Sequence, residues 1–367
     1  MALVLNEEQK MLKNSAKEFF NGNAPVSALR RLRDEKNVDG YDARVWEEMI
    51  QMGWSGLVFP EEYGGLQFGY TGLGQILEES GKTLTSSPLL STVVLAGTMI
   101  NEFGSAEQKQ KYIQAICEGK SLFAVAFEEK NIHSPHMATT KVSDNKLSGT
   151  KKFVLDGHVA DVFLVTASTD SGLGIYIIDA KGDGVDIKKH VMMDSRNAST
   201  VTFDQAHVVD MIGLPGDGVA IMDRSLDIAR ICLSAEMLGS MDEAFSRTMA
   251  YLKERKQFGV SIGSFQSLQH RAAHMYCEIE LCKSLVIKSL QAIDDNAENL
   301  AHLASMTKAK IGQIAELVSN EAIQMYGGIG RTDDEEIGFF LKRARVAQQT
   351  FGDYNYHLDR YATLNNY

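Results

Sequence analysis

Two neighbouring segments carry side chains that could hold a phosphorylated ligand. Glu254-Arg-Lys-Gln-Phe-Gly259 is followed by Ser264-Phe-Gln-Ser-Leu-Gln-His270, and together they read as a corner between two helices. Arg255 brings a permanent charge and a planar fork of donors suited to a pyrophosphate; Gln266 and Gln269 add directional amide hydrogen bonds. A corner that is only capped accounts for the same text, so the residues alone leave both readings open. Gln324-Met-Tyr-Gly-Gly-Ile-Gly330 has the glycines of a phosphate loop but follows a helix, so it does not read as a strand-to-helix dinucleotide turn. His270 and His274 lie four apart on a helix, without an internal glutamate or a third ligand, and no metal site is expected there. The acidic run Asp333-Asp-Glu-Glu336 reads as a helix N-terminus.

The elements that must position these residues follow from hydrophobic period. From Asn6 to about Leu122, apolar residues such as Leu12, Ala16, Phe19 and Phe20 recur at three and four, as on a helix face. From Phe123 the pattern becomes short β-branched runs: Lys152-Phe-Val-Leu155, Val162-Phe-Leu-Val165, Gly174-Ile-Tyr-Ile-Ile178 and Thr200-Val-Thr-Phe203. After about Gly218 helical spacing returns in three long stretches, about Ile221 to Lys256, Phe265 to Asp294 and Asn299 to Tyr326. Short links between them favour an antiparallel bundle. The expected fold is α+β: a helical domain over 1–122, a β-sheet domain over 123–217 and a four-helix-bundle domain over 218–367.

Composition narrows the function classes. The 367 residues hold 37 Lys+Arg against 48 Asp+Glu, a formal charge of −11, which makes nucleic acid and anionic lipid poor partners. Cys117, Cys232, Cys277 and Cys282 have no framework spacing and read as reduced thiols. The N-terminal stretch is amphipathic and lacks the regions of a signal peptide, and Leu89–Ile100 falls short of the roughly 20 apolar residues of a membrane span. A cytoplasmic protein is expected.

In combination the motifs are specific. The text R-K-Q-F-G-x-x-I-x-x-F-Q-x-x-Q resembles the flavin-contacting corner of the acyl-CoA dehydrogenase family. Gln324-Met-Tyr-Gly-Gly-Ile-Gly330 resembles its Q-x-x-G-G-x-G, and Pro60-Glu-Glu-Tyr-Gly-Gly65 and Ser225-Leu-Asp-Ile-Ala-Arg230 resemble its text upstream. The resemblance covers essentially the whole chain. It implies FAD as cofactor, an acyl-CoA substrate oxidised at Cα–Cβ, electron-transfer flavoprotein or a similar acceptor, and a tetramer in which each FAD site is built from two chains. Arg255, Gln257, Phe258, Gln266, Gln324, Gly327 and Gly328 match the half that one chain donates to its neighbour. Arg230 and Asp227 match residues that help hold CoA, while a helix-capping pair accounts for them equally.

The other half departs from the family. Where many members have T-E-P-x-x-G-S-D, this chain has Phe127-Glu-Glu-Lys-Asn-Ile-His-Ser134. Phe127 replaces a flavin-bonding threonine, and His133 stands near a serine. Phe153 keeps the aromatic position of the next strand, but Leu155 replaces a hydroxyl residue. Each lost donor costs roughly 1–3 kcal/mol if a buried flavin atom goes unpaired, unless backbone N–H groups serve instead. The base departs too. Most members carry a glutamate just before G-T, where this chain has Phe351 or Gly352; others place it before the helix arginine, where this chain has Ala229. The nearest carboxylates are Asp353 and Glu236, the latter seven residues and about 10 Å along the helix from Ala229; Glu128 and Glu129 have no spacing argument. Asp353 also suits a helix N-cap, and Glu236 a buried structural acid. The ending Phe351-Gly-Asp-x-x-Tyr-His-Leu-Asp-Arg360 resembles small subunits of pimeloyl-CoA-type and steroid side-chain dehydrogenases, some of which work as α2β2 assemblies. The expected activity is flavin-dependent α,β-dehydrogenation of an acyl-CoA, in a homotetramer or in a heterotetramer where this chain completes the FAD site of a catalytic paralogue.

Overall fold

The structure is a computed structural model and describes residues 3–367. Helices α1 (Glu7–Asn23), α2 (Val26–Asp34), α3 (Ala43–Gln51) and α4 (Tyr70–Lys82) come first. Two π-helical stretches, Leu89–Gly97 and Lys109–Ile113, follow with the short helices α5 (Thr98–Phe103), α6 (Ala106–Gln108) and α7 (Gln114–Cys117). Eight strands come next: β1 (Phe123–Ala126), β2 (Lys141–Ser143), β3 (Lys146–Leu155), β4 (Val162–Thr169), β5 (Gly172–Asp179), β6 (Val185–Val191), β7 (Asn197–His207) and β8 (Asp210–Ile212). The chain ends in α8 (Gly218–Glu254), a two-strand hairpin of β9 (Lys256–Gln257) and β10 (Val260–Ser261), then α9 (Gln266–Asp294), α10 (Leu300–Tyr326), α11 (Ile337–Gln349) and α12 (Tyr354–Leu364).

Contacts divide the chain into two compact units. One gathers Met1–Arg31, Tyr70–Thr85 and Arg230–Tyr367; the other gathers Leu32–Gly69 and Ser86–Ala229, with the division falling inside α8. In the first unit, α10 packs its apolar face (Ile311, Ala315, Val318 and Ala322) among α9, α11 and α12. Helix α4 is buried along most of its length among α1, α8 and α9, and two glycines let it meet α8 backbone to backbone. A Cβ at Gly81 would lie 2.0 Å from Glu236 O, and one at Gly239 would lie 1.8 Å from Glu78 O. Alanine at either place forces the helices apart.

In the second unit the strands form one sheet in the order β6-β7-β3-β2-β4-β5-β8, with β1 added parallel to β4. Phe163, Val165, Tyr176, Ile178, Val201 and Phe203 build its core. Strand β3 pairs with β7 through two register shifts, the second between Lys151 and Val154. That bulge turns Phe153 outward: its φ is +50° and it is 58% exposed.

Two expectations need correction. Helix α8 begins at Gly218 and ends at Glu254, because Lys256–Gln257 pairs with Val260–Ser261 and leaves the helix. Arg230 therefore lies well inside α8 and is no helix cap. The acidic run leads into the N-terminus of α11, with Glu336 at the cap position as expected, and also reaches other helices: Asp333 pairs with Arg30 at 2.8 Å and Glu336 with Arg247 at 2.7 Å.

Candidate functional site

The Arg255 corner is a hairpin set on the end of α8. The Arg255 amide donates to Tyr251 O at 2.8 Å, finishing the last helical turn, and Ile262 N donates to Arg255 O at 2.8 Å. Between the two short strands, Phe258 and Gly259 form a two-residue loop with φ of +53° and +82°. Both signs match a type I′ turn, whose first place usually takes Asn, Asp or Gly. Phenylalanine there is strained, and its ring gains little in return, being 91% exposed with an edge contact to Phe265 at 6.2 Å. A strained backbone that leaves an aromatic ring exposed at a turn marks Phe258 as a candidate contact for another molecule.

The Gln324–Gly328 turn sits against this corner. Tyr251 and Tyr326 stack at 4.2 Å and 11°, the Tyr251 hydroxyl donates to Tyr326 O, and the Tyr326 hydroxyl donates to Arg247 O, both at 3.3 Å. Gly327, with φ +70° and ψ −139°, closes α10 in a conformation open to glycine alone. A Cβ on Gly259, Gly327 or Gly328 would meet nothing within 4 Å, whereas one on Gly330 would lie 2.7 Å from Tyr326 Cβ. Gly330 is thus explained by packing and Gly328 is not. Arg255, Gln266 and Gln324 are exposed, and their side chains have no hydrogen-bond partner among the described residues; Gln257 donates to Lys256 O at 2.9 Å and Gln269 to Gly263 O at 3.0 Å.

In the sheet unit the matching loop, 127–140, is organised differently. Phe127 is buried and meets the His133 ring edge-on at 6.1 Å. Glu128 pairs with His133 Nδ1 and accepts Ser134 N–H at 3.2 Å. Glu129 accepts Thr139 N–H at 2.6 Å, Thr140 N–H at 3.0 Å, the Thr139 hydroxyl, and the fully buried ammonium of Lys151 at 2.7 Å. Burial alone would raise the Glu129 pKa, but the bonds from Lys151, Thr139 and Thr140 outweigh it and bring the carboxyl down to about 2. Burial also pulls Lys151 down to about 8, against the pull of Glu129 and Glu128. Both remain charged at neutral pH.

The third place is the turn between α11 and α12, where the family glutamate would fall. Phe351 is buried, with φ of +61°, followed by Gly352 at +104°. Arg230 Nε donates to Phe351 O at 3.0 Å, and His357 Nε2 lies 3.1 Å from the same oxygen. Lys308 donates to Gln348 O at 2.9 Å and Gly352 O at 3.0 Å, so it ties the end of α11 to the turn. Burial and then the charge of Arg230 push Lys308 down to about 7, with Asp353 opposing. Asp353 caps α12, accepting Tyr356 N–H at 2.9 Å. Glu236 is buried against Arg343 at 3.0 Å, and Arg343 also donates to Leu84 O at 3.2 Å. Loss of the Glu236 carboxylate would leave that guanidinium uncompensated in the core.

The sequence-predicted residues thus fall into three places. Arg255, Gln257, Phe258, Gln266, Gln324, Gly327 and Gly328 are gathered at one corner of the bundle. Phe153 belongs to the sheet unit, and Glu236 and Asp353 are engaged in separate structural bonds. Lys151 and Lys308 were missed. Both had a signal: Lys151 shares inward parity with Leu147 on β3, and Lys308 falls on the apolar face of α10. FAD fits the first place, where open glycine faces adjoin exposed Arg255 and Gln324. It fits the 127–140 loop poorly, where apolar Phe127 and Leu155 stand in place of hydroxyl donors.

Comparison with known proteins agrees with this geometry. Residues 6–120 match the family model of the acyl-CoA dehydrogenase N-terminal domain, and residues 216–363 match that of the C-terminal domain. The short-chain specific acyl-CoA dehydrogenase of Clostridium acetobutylicum is 30% identical over 364 residues, covering 94% of each chain. The short/branched chain specific acyl-CoA dehydrogenase of Bos taurus is 26% identical, over 97% of this chain and 85% of the relative. The solved butyryl-CoA dehydrogenase from Megasphaera elsdenii has a TM-score of 0.91 at 26% identity, over 100% of both chains. A steroid ACAD named as a pair of components has 0.90 at 29% identity, over 98% of both. The fold is that of the acyl-CoA dehydrogenases, FAD-binding oxidoreductases acting on CH–CH bonds. The chain belongs to the acyl-CoA dehydrogenase family. Among the described residues no helix is long and apolar enough to cross a membrane.

Proposed function

We propose that this chain is a subunit of an acyl-CoA dehydrogenase oligomer that lends its Arg255 corner and Gln324–Gly328 turn to the FAD site of a neighbouring paralogue, and that the paralogue supplies the base. FAD, when bound, accepts the β-hydride of the acyl-CoA. Arg255 would meet the pyrophosphate with charge-assisted bonds, Gln257, Gln266 and Gln324 would add directional donors, and Gly327 and Gly328 would let the ligand approach the backbone. Phe258 would cover the ligand, and Phe153 would flank the flavin in a chain whose sheet held one. Electrons would leave to an electron-transfer flavoprotein or similar acceptor, in the cytoplasm.

The observation that carries this reading is the α11–α12 turn. Ala229, Phe351 and Gly352 are not acids, Asp353 is spent on a cap, and Glu236 is spent on Arg343. A carboxylate free to take an α-proton is therefore sought in the partner. The test is FAD per chain, from flavin absorbance and protein mass, for this chain alone and co-expressed with a neighbouring paralogue. Expected are no stable flavin alone and one FAD per two chains in the complex, lost when Arg255→Ala is placed in this chain. One FAD per chain in an active homotetramer overturns the proposal; Glu236→Gln and Asp353→Asn would then locate the base.

A further inference from the structure

The bonds around the 127–140 loop extend that reading, and rest on it only for which half-site the loop represents. A loop that returns from β1 to β2 must find acceptors for its buried backbone N–H groups. Glu128 takes the amide of Ser134, and Glu129 takes those of Thr139 and Thr140. Lys151 fixes Glu129 from below and spends its other protons on Thr166 Oγ1 at 2.8 Å and Phe127 O at 3.4 Å. Ser168 closes the far end, its amide donating to Thr140 O at 2.9 Å and its hydroxyl to Ala138 O at 2.8 Å. One buried ion pair thus clamps the start of the loop to its end and to β3 and β4.

An isoalloxazine edge presents mainly acceptors and needs donors from the protein. Three amides of this loop already serve carboxylates, and Phe127 and Leu155 contribute no side-chain donor. We propose that Glu128 and Glu129 take the place of a cofactor in shaping this loop, so that the sheet unit of this chain folds it without an isoalloxazine and does not take one up.

The test is amide hydrogen exchange on the chain alone and in its complex with the paralogue, each with and without added FAD. The expected result is protection of 127–140 that stays within about twofold whether FAD is present or not, while 255–259 and 324–328 gain protection in the complex. A gain of about tenfold or more over 127–140 on adding FAD overturns the inference and leaves the donor reading standing. No gain at 255–259 and 324–328 sinks the donor reading and leaves this one standing. Glu129→Gln should speed exchange at Thr139 and Thr140 at least about tenfold, since it weakens a charge-assisted bond; unchanged exchange there overturns the latch. If that variant fails to fold, Glu129→Gln with Lys151→Met removes both charges and is read the same way.

Discussion

The bundle corner and the sheet loop treat their polar groups in opposite ways. At the corner, Arg255, Gln266 and Gln324 face solvent without partners among the described residues, and three glycines open onto empty space. In the loop, each carboxylate is matched to amides, and a lysine is buried completely to hold one of them. A region that satisfies itself gains stability and gives up binding capacity, because its donors are no longer available. A region whose donors bond only to water and whose glycine faces are open gains little stability from them, and keeps them available to a visiting group. The corner keeps the family's text and the loop departs from it, and the accounting of hydrogen bonds separates the two regions in the same way.

The strongest way to break the contrast is to strike the loop. Lys151→Met removes the cation beneath Glu129 and leaves a carboxylate in a site where its side chain is 8% exposed. Loss of one partner of a buried pair costs about 3–5 kcal/mol, here toward the lower end because the Thr139 and Thr140 donors remain. Urea unfolding should show that loss as a lower midpoint. A change below about 0.5 kcal/mol would mean the pair holds nothing, and the loop would then differ little from the corner.

Much of this was legible in the sequence. The long helices were visible because their apolar residues repeat at three and four, and β4, β5 and β7 because their runs are β-branched. The Arg255 corner was readable as a motif, but not its hairpin, since Phe258 occupies a turn place that asks for Asn or Gly. The partners of Glu129 and Glu236 were out of reach for another reason. Lys151 lies 22 positions from Glu129, and Arg343 lies 107 from Glu236, so only the folded chain brings the pairs together. The grouping of α1 and α4 with the C-terminal helices rests on the same long-range packing, and on the close approach permitted at Gly81 and Gly239.

A second prediction sharpens the contrast at the α11–α12 turn, which is also self-satisfied but by cations. Lys308 is held near 7 in the folded chain, against 10.5 ordinarily, because burial and Arg230 oppose its charge. Between those values the unfolded chain binds the extra proton, so stability rises with pH from about 7 toward 10. The contribution of this one group climbs at up to about 1.4 kcal/mol per pH unit. The charged groups acting on it are Arg230 of α8 and Asp353 at the start of α12, while His357 shares the neighbouring Phe351 carbonyl. Lys308→Met should flatten the rise when stability is compared across pH 7 to 10. Parallel curves for the two proteins would show that Lys308 keeps its charge throughout.

The smallest expected effect on stability is the most telling for binding. Gly328 is not held at positive φ, and a Cβ there would touch nothing within 4 Å. Gly328→Ala should therefore leave stability unchanged or raise it by about 0.4–1 kcal/mol, through the lost freedom of the unfolded chain. If the open face exists for a ligand, the same methyl should lower the flavin content of the co-expressed complex, while the thermal midpoint of the chain alone stays level or climbs. A variant with full flavin content would leave Gly328 without a binding role and return the turn to the self-contained class of the sheet loop. A variant that lost stability as well would place an unseen packing neighbour at the turn, and the difference between the two regions would shrink accordingly.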